Sequence, residues 1–384
     1  MKHILTVEAQ EGRARAGRVV TPRGEYRTPV FMPVGTRGAV RTLAADDLER
    51  LGVQIVLGNT YHLMLRPGAD LIDRLGGLHG FTDWGGHVLT DSGGYQILSL
   101  EPKIDDEGAV FRSTYDGSTH RLTPEGAAEI QCALGSDIQM VLDVCPPLPS
   151  PPEVVRAAVD RTSLWAARGR AAFLAERERR LDSGRDPAQF GIVQGGVDAA
   201  LRVESARRTV EVGFDGYAVG GLSVGETRDQ MVEALAAAVD ELPADQPRYF
   251  MGLGDPVGLV EAVHLGIDMF DCVLPTRLGR HGTVLTSEGR MNLRNARFAT
   301  DDGPLDPGFP TDPSGRYSRA YLRHLLSVDE PTAARVLTLH NVAWTLDLVD
   351  SMRAAIVDGT FADRRRRILD VWAPRRAGDG HGAD

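Results

Sequence analysis

Three features of the chain predict an α/β protein built on a (β/α)8 barrel, with an inserted hairpin and a C-terminal, mainly helical subdomain. Short apolar segments recur; each ends abruptly in polar or glycine residues; a helix-like stretch usually follows. Apolar runs without in/out alternation are the mark of strands covered on both faces, as in parallel sheets. Strand, polar tip and helix recur about seven times, which favours a closed barrel over a doubly wound sheet.

The candidate strands are Val53–Leu57 before Gly58-Asn59, His87–Thr90 before Asp91-Ser92-Gly93-Gly94, and Ile138–Leu142 before Asp143. Phe190–Val193 before Gln194-Gly195-Gly196, Tyr217–Val219 before Gly220-Gly221, Tyr249–Met251 before Gly252, and Met269-Phe270 before Asp271 continue the series. Among the helices, Ala44–Leu51 carries Asp46 and Asp47 near its start and Gly52 past its end, the polarity a helix dipole favours. Pro152–Leu174 spaces Val154, Val155, Ala158, Leu164 and Trp165 helically, Ala199–Val212 ends at Gly213, and Arg228–Leu242 follows Thr227, an expected N-cap. Glu101–Thr123 reads as a hairpin inserted in a βα loop, turning at Asp116-Gly117. Residues 1–276 are therefore expected to form the barrel and 277–376 a subdomain packed on it. The latter holds an element at Gly282–Leu293, a Pro/Gly/Asp-rich run at Asp301–Gly315 and helices to about Trp372. The tail, 377–384, is expected to be disordered.

Composition narrows the function. Across 384 residues, 43 basic and 53 acidic side chains leave a net charge of −10. A protein that coats polyanions indiscriminately is basic, so a nucleic-acid partner here requires a local patch. Of the basic residues only Lys2 and Lys103 are lysine. Cys132, Cys145 and Cys272 form no CxxC and no disulfide framework, as expected in a reducing cytoplasm. No apolar run approaches the ~18 residues of a membrane helix, and the N-terminus lacks a signal-peptide core. A soluble cytoplasmic protein is expected.

Chemistry enters with Asp91, Asp143 and Asp271, each at the C-terminal end of a candidate strand, where barrels gather their sites. One carboxylate can attack an anomeric carbon while a second manages protons. The competing interpretation is that each Asp merely caps the next helix. The glycines of Asp91-Ser92-Gly93-Gly94-Tyr95-Gln96, Gln194-Gly195-Gly196 and Gly220-Gly221-Leu222 allow close backbone approach to a flat ligand. With Asp143, Gln194 and Tyr95 they describe a slot for a purine-like base, although each glycine pair alone is equally compatible with a tight turn.

Phe31-Met32-Pro33-Val34-Gly35-Thr36, Leu57-Gly58-Asn59-Thr60-Tyr61-His62-Leu63, Leu89 to Gln96 (LTDSGGYQ), Gly213 to Leu222 (GFDGYAVGGL) and Asp268 to Arg277 (DMFDCVLPTR) occur in that order. Carrying these motifs, the chain resembles the bacterial tRNA-guanine transglycosylase (queuine tRNA-ribosyltransferase) family from about Gly12 to Arg365. The resemblance implies base exchange at the tRNA wobble position of GUN anticodons, in queuosine biosynthesis. It implies Asp271 as nucleophile at ribose C1′ and Asp91 as general acid/base. It further implies Asp143, Gln194, Ser92 and the Gly220-Gly221-Leu222 backbone around the base edge, and Tyr95 and Met251 around its faces. Arg277 and Arg280 match positions near anticodon-loop phosphates. Cys145 and Val224 match side chains that wall off the pocket, favouring preQ1 as the incoming 7-deazaguanine. A homodimer is also implied.

Where such proteins hold a structural zinc by Cys-x-Cys-x-x-Cys and a later His, this chain has Phe309, Thr311 and Ser314, with His340 alone matching the fourth ligand. Within this degenerate region, about 304–340, no zinc is expected, and Pro307, Pro310, Pro313 and a buried Phe309 are expected to hold the loop. Asp255 stands where the family usually has Lys, which predicts weaker phosphate binding, and Val144 replaces an acidic residue. The lost thiolates and Asp255 keep open the same exchange on DNA or a small nucleoside. Two other functions compete: a non-catalytic tRNA-binding subunit, against which Asp91 and Asp271 argue, and a retaining glycosidase, which would also use two carboxylates.

Overall fold

The computed structural model describes residues 4–181 and 184–373; the expected tail, 377–384, lies outside them. Eight parallel strands close a barrel: β1 (Val30–Gly35), β2 (Ile55–Gly58), β3 (His87–Thr90), β4 (Ile138–Met140), β5 (Ala188–Val193), β6 (Gly216–Val219), β7 (Arg248–Phe250) and β8 (Met269–Cys272). The barrel closes where β8 pairs with β1, Phe270 opposite Phe31 and Asp271 opposite Met32. Seven of these are the strands read from the apolar runs, with ends shifted by at most two residues. The eighth, β1, was not among them. Pro33 marks a segment as unfit for a ladder, yet all six residues of β1 are buried and Pro33 pairs opposite Cys272.

The helices between strands follow their expected caps. Thr227 and Gln230 form a reciprocal capping box on Arg228–Val239, and Asp198 caps Ala199–Val212. Pro152–Arg180 runs further than its apolar spacing indicated, its last turn carrying Arg177, Arg179 and Arg180. The insert has three antiparallel strands (Lys103–Asp105, Gly108–Arg112, Thr119–Leu122) rather than two. Asp116-Gly117 lies in the second turn, with Gly117 at φ 75°. The first turn is closed by the Asp105 carboxylate, which accepts from the N–H groups of Glu107 and Gly108.

Nothing in the sequence reading corresponds to the N-terminal antiparallel sheet, Leu5–Glu11, Ala14–Thr21 and Gly24–Thr28. It plugs the barrel's N-terminal mouth through residues that directly precede strands. Arg15 pairs with Asp268 at 2.6 Å, Arg23 with Asp137 at 3.1 Å, and the Arg27 N–H donates to Gln54 Oε1 at 2.9 Å. Chemistry is thereby confined to the other mouth.

After β8 come a short helix (Leu274–Arg280), a hairpin (Thr283–Thr286, Gly289–Asn292) and three helices, Arg319–Ser327, Pro331–Val357 and Phe361–Trp372. The hairpin region has a small core of its own, with Val284, Met291, Phe298, Leu305, Leu322 and Leu337. Helix Pro331–Val357 also buries Trp344, Leu348, Val349, Met352 and Ile356 in the same apolar cluster as the barrel.

Candidate active site

The C-terminal mouth opens into a cavity of about 410 Å3 whose wall includes Asp91, Asp143 and Asp271. None of the three caps the helix that follows it: Gly93, Pro151 and Val273 occupy those positions. The capping interpretation therefore fails.

Asp271 lies within β8. Its Oδ1 accepts from the Tyr249 hydroxyl at 2.5 Å and from the Gly252 N–H at 2.7 Å. Burial pushes its carboxyl up to about 6; the two donors oppose that rise, and the charge of Asp91 adds to it. Asp91, just past β3, is gripped by four donors. Asn59 Nδ2 and Gln96 Nε2 reach Oδ2 at 2.5 and 3.0 Å, while the N–H groups of Thr60 and Gly93 reach Oδ1 at 2.8 and 3.2 Å. Burial still leaves its carboxyl above the usual range against all four. Asp143 receives Gln194 Nε2 at 2.6 Å and, more weakly, Ser92 Oγ at 3.5 Å. Its carboxyl is pushed up to about 6, by burial first and then by Asp91.

Two glycines are dictated by these contacts. A Cβ on Gly94 would stand 2.8 Å from the Asp143 carbonyl oxygen, and one on Gly221 (φ +65°) 2.2 Å from Gln194 Oε1. Beneath them lies Arg202, wholly buried on helix Ala199–Val212. It donates to the carbonyls of Val193, Gly196, Gly220 and Gly221 at 2.7–3.1 Å. Burial holds its guanidinium down at about 10. This side chain fixes both glycine loops at once.

The remaining expected residues are distributed plainly. Ser92, Tyr95, Cys145, Gly220, Gly221, Leu222, Val224 and Met251 line the cavity, Tyr95 being 60% exposed at its rim. Gln194 enters through Asp143 rather than as wall. Arg277 and Arg280 lie outside the wall, on the helix after β8. The sequence reading missed Asn59, Gln96, Tyr249 and Arg202. Asn59 and Gln96 stand inside motifs quoted for other residues. Tyr249 reads as one more apolar strand residue. Arg202 had a visible signal, a charge in register with Leu201, Ser205, Ala206 and Thr209 on the buried face.

The departures resolve locally. Asp255 caps helix Pro256–His264 by accepting from the Gly258 N–H at 2.9 Å and pairs with Arg228 at 2.7 Å. Its charge is thus largely compensated, and the expected repulsion of phosphate loses most of its force. Val144 is buried in the cluster around Tyr61, Ile97 and Trp165. At the degenerate zinc region Phe309 is buried with its ring edge-on to His340, Ser314 is buried and Thr311 is exposed. His340 Nδ1 lies 2.9 Å from Asp312 Oδ2, and Nε2 lies 2.7 Å from the Leu285 carbonyl oxygen. One imidazole, one carboxylate, hydroxyls and a phenyl ring do not fit a tetrahedral zinc. Among the described residues no group of three or more His, Cys, Asp or Glu is placed to hold a metal ion.

Residues 10–374 match the family model described as queuine tRNA-ribosyltransferase. Curated proteins named queuine tRNA-ribosyltransferase are similar over nearly the whole chain. That of Novosphingobium aromaticivorans is 51% identical, covering 93% of this chain and 95% of that protein. That of Symbiobacterium thermophilum is 49% identical, covering 94% and 88%. A cavity with three carboxylates at the mouth of a closed barrel, a family match of this extent and relatives at half identity agree: the chain belongs to the queuine tRNA-ribosyltransferase family.

Proposed function

We propose that this pentosyltransferase exchanges guanine at the tRNA wobble position for a 7-deazaguanine by two displacements at one ribose carbon. The Asp271 carboxylate attacks C1′ as the C1′–N9 bond breaks, leaving a ribosyl ester on the protein. Asp91 hands its proton to the departing guanine. The incoming base then returns a proton to Asp91 as its N9 attacks C1′ and releases Asp271, so configuration is retained. Asp143 and Gln194 read the base edge between Tyr95 and Met251. Cys145 and Val224 close the slot, which suits preQ1. The observation that carries this reading is the single cavity in which Asp91 and Asp271 stand with the Asp143–Gln194 pair.

Labelled guanine should enter unmodified tRNA, and a covalent tRNA adduct should be trapped by the native protein and lost in Asp271→Asn. A folded protein that labels no tRNA would sink the proposal. The compensation of Asp255 by Arg228 removes one of the two motives, the other being the lost thiolates, for DNA or a small nucleoside as substrate. No helix among the described residues is long and apolar enough to cross a membrane, and we place the protein in the cytoplasm, as a homodimer.

We further propose that the C-terminal segment folds without metal, the buried Asp312–His340 contact and the Phe309 ring holding it instead. Elemental analysis of purified protein should find no stoichiometric zinc, and a chelator should leave its thermal midpoint unmoved; a zinc ion per chain would refute this.

A further inference from the structure

Five exposed or half-buried arginines stand at the catalytic mouth: Arg277 and Arg280 after β8, Arg37 and Arg41 after β1, and Arg66 after the short helix that follows β2. Those strands are neighbours in the barrel, and β3, next in order, leads into the three-stranded insert. The cations therefore form an arc over one half of the rim. Two other arginines near this mouth are spoken for: Arg228 pairs with Asp255, and the buried Arg202 serves four carbonyls. Arg37 and Arg66 are held differently. Their guanidinium carbons lie 5.4 and 4.7 Å from the ring centroid of Tyr115, at the tip of the insert.

That tip is anchored. The Tyr115 hydroxyl meets His62 Nδ1 at 2.9 Å, and the Tyr61 hydroxyl meets Thr114 Oγ1 at 3.1 Å. Tyr61 and His62 follow Thr60, whose N–H holds Asp91. An aromatic face restrains a guanidinium without neutralising it, whereas a carboxylate does both. Arg66 Nη2 also reaches the Tyr115 carbonyl oxygen at 3.5 Å, so the fork of Arg37 and the remaining N–H groups of Arg66 stay available for an anion, on a platform tied to the catalytic carboxylate. Burial and the charges of Arg41 and Arg277 depress the guanidinium of Arg280, an electrostatic crowd of three cations.

We infer that the RNA strand flanking the exchanged nucleotide runs along this arc, with Arg37 and Arg66 on its backbone phosphates and Tyr115 holding both side chains in position. This rests on the base-exchange reading and names the strand path that reading lacks. Phosphate is the ligand because planar, doubly donating guanidiniums suit its oxygens and because the path is independent of base identity.

The test is titration of an RNA hairpin carrying a guanine-containing anticodon loop, across a range of salt, alongside labelled-guanine exchange into tRNA. Arg37→Ala and Arg66→Ala should each weaken hairpin binding about fivefold. Each should also lower the slope of log affinity against log salt by about 0.7 to 1, with the loss falling on KM for tRNA rather than on kcat. Tyr115→Leu should weaken binding at every salt concentration while keeping the slope, and Tyr115→Phe should recover most of the affinity. Arginine variants with native affinity and native slope would overturn the assignment and leave base exchange standing. Hairpin binding that follows these slopes without any exchange by the native protein would do the reverse.

Discussion

Asp271 illustrates how a buried site sets its own working range. Its carboxyl is raised from the ordinary 3.8 to about 6, yet attack on C1′ requires the ionised form. Adduct formation should therefore fall as pH drops through about 6 and level off above it. Tyr249→Phe removes a donor that favours the carboxylate, so the acidic limb should move upward by up to about one unit. Single-turnover adduct formation at several pH values reads this directly, and an unmoved limb would show that the hydroxyl does not tune the nucleophile. The same shift bears on stability with a definite sign. A carboxyl whose folded pKa is raised stabilises the fold below 3.8 and loses that contribution as pH rises through about 6. At neutral pH, Asp143 and Asp271 are each carried at a cost on the order of 2–3 kcal/mol.

Elements turn these residues toward one another, and Arg202 is the case where one side chain joins two of them. Arg202→Met would fill similar space but leave four buried carbonyls short of a donor. The expected loss is about 3 kcal/mol, measurable by denaturant unfolding; a loss under about 1 kcal/mol would show that the two glycine loops hold themselves. At this scale much was legible before any coordinates. Apolar runs with polar tips marked seven strands, because parallel strands buried on both faces carry no competing pattern. What escaped did so for physical reasons. β1 contains Pro33, a residue that argues against a ladder, and the N-terminal sheet alternates too irregularly to stand apart from a loop. The three aspartates were found because charge at a strand end is conspicuous. Tyr249 was not, since a hydroxyl at the far end of a buried ring leaves no mark on an apolar run.

At the scale of the molecule, the two ends of the chain are knotted together by polar contacts. Arg353, on helix Pro331–Val357, donates to the carbonyls of Gly17 and Thr28 at 3.0 and 2.7 Å. Glu11 accepts the first two N–H groups of helix Phe361–Trp372 at 2.7 and 2.9 Å. Expressed alone, residues 1–276 should leave bare the apolar barrel surface that Trp344, Leu348 and Met352 cover. They should be recovered mainly as aggregate; a monodisperse, cooperatively melting fragment would contradict this. During synthesis the segments at the start of the chain must accordingly wait for those made last. Until helices Pro331–Val357 and Phe361–Trp372 leave the ribosome, the plug sheet has its ties to the barrel but not those to Arg353 and to the N–H groups of Phe361 and Ala362, and the greasy surface those helices cover stays open to other chains.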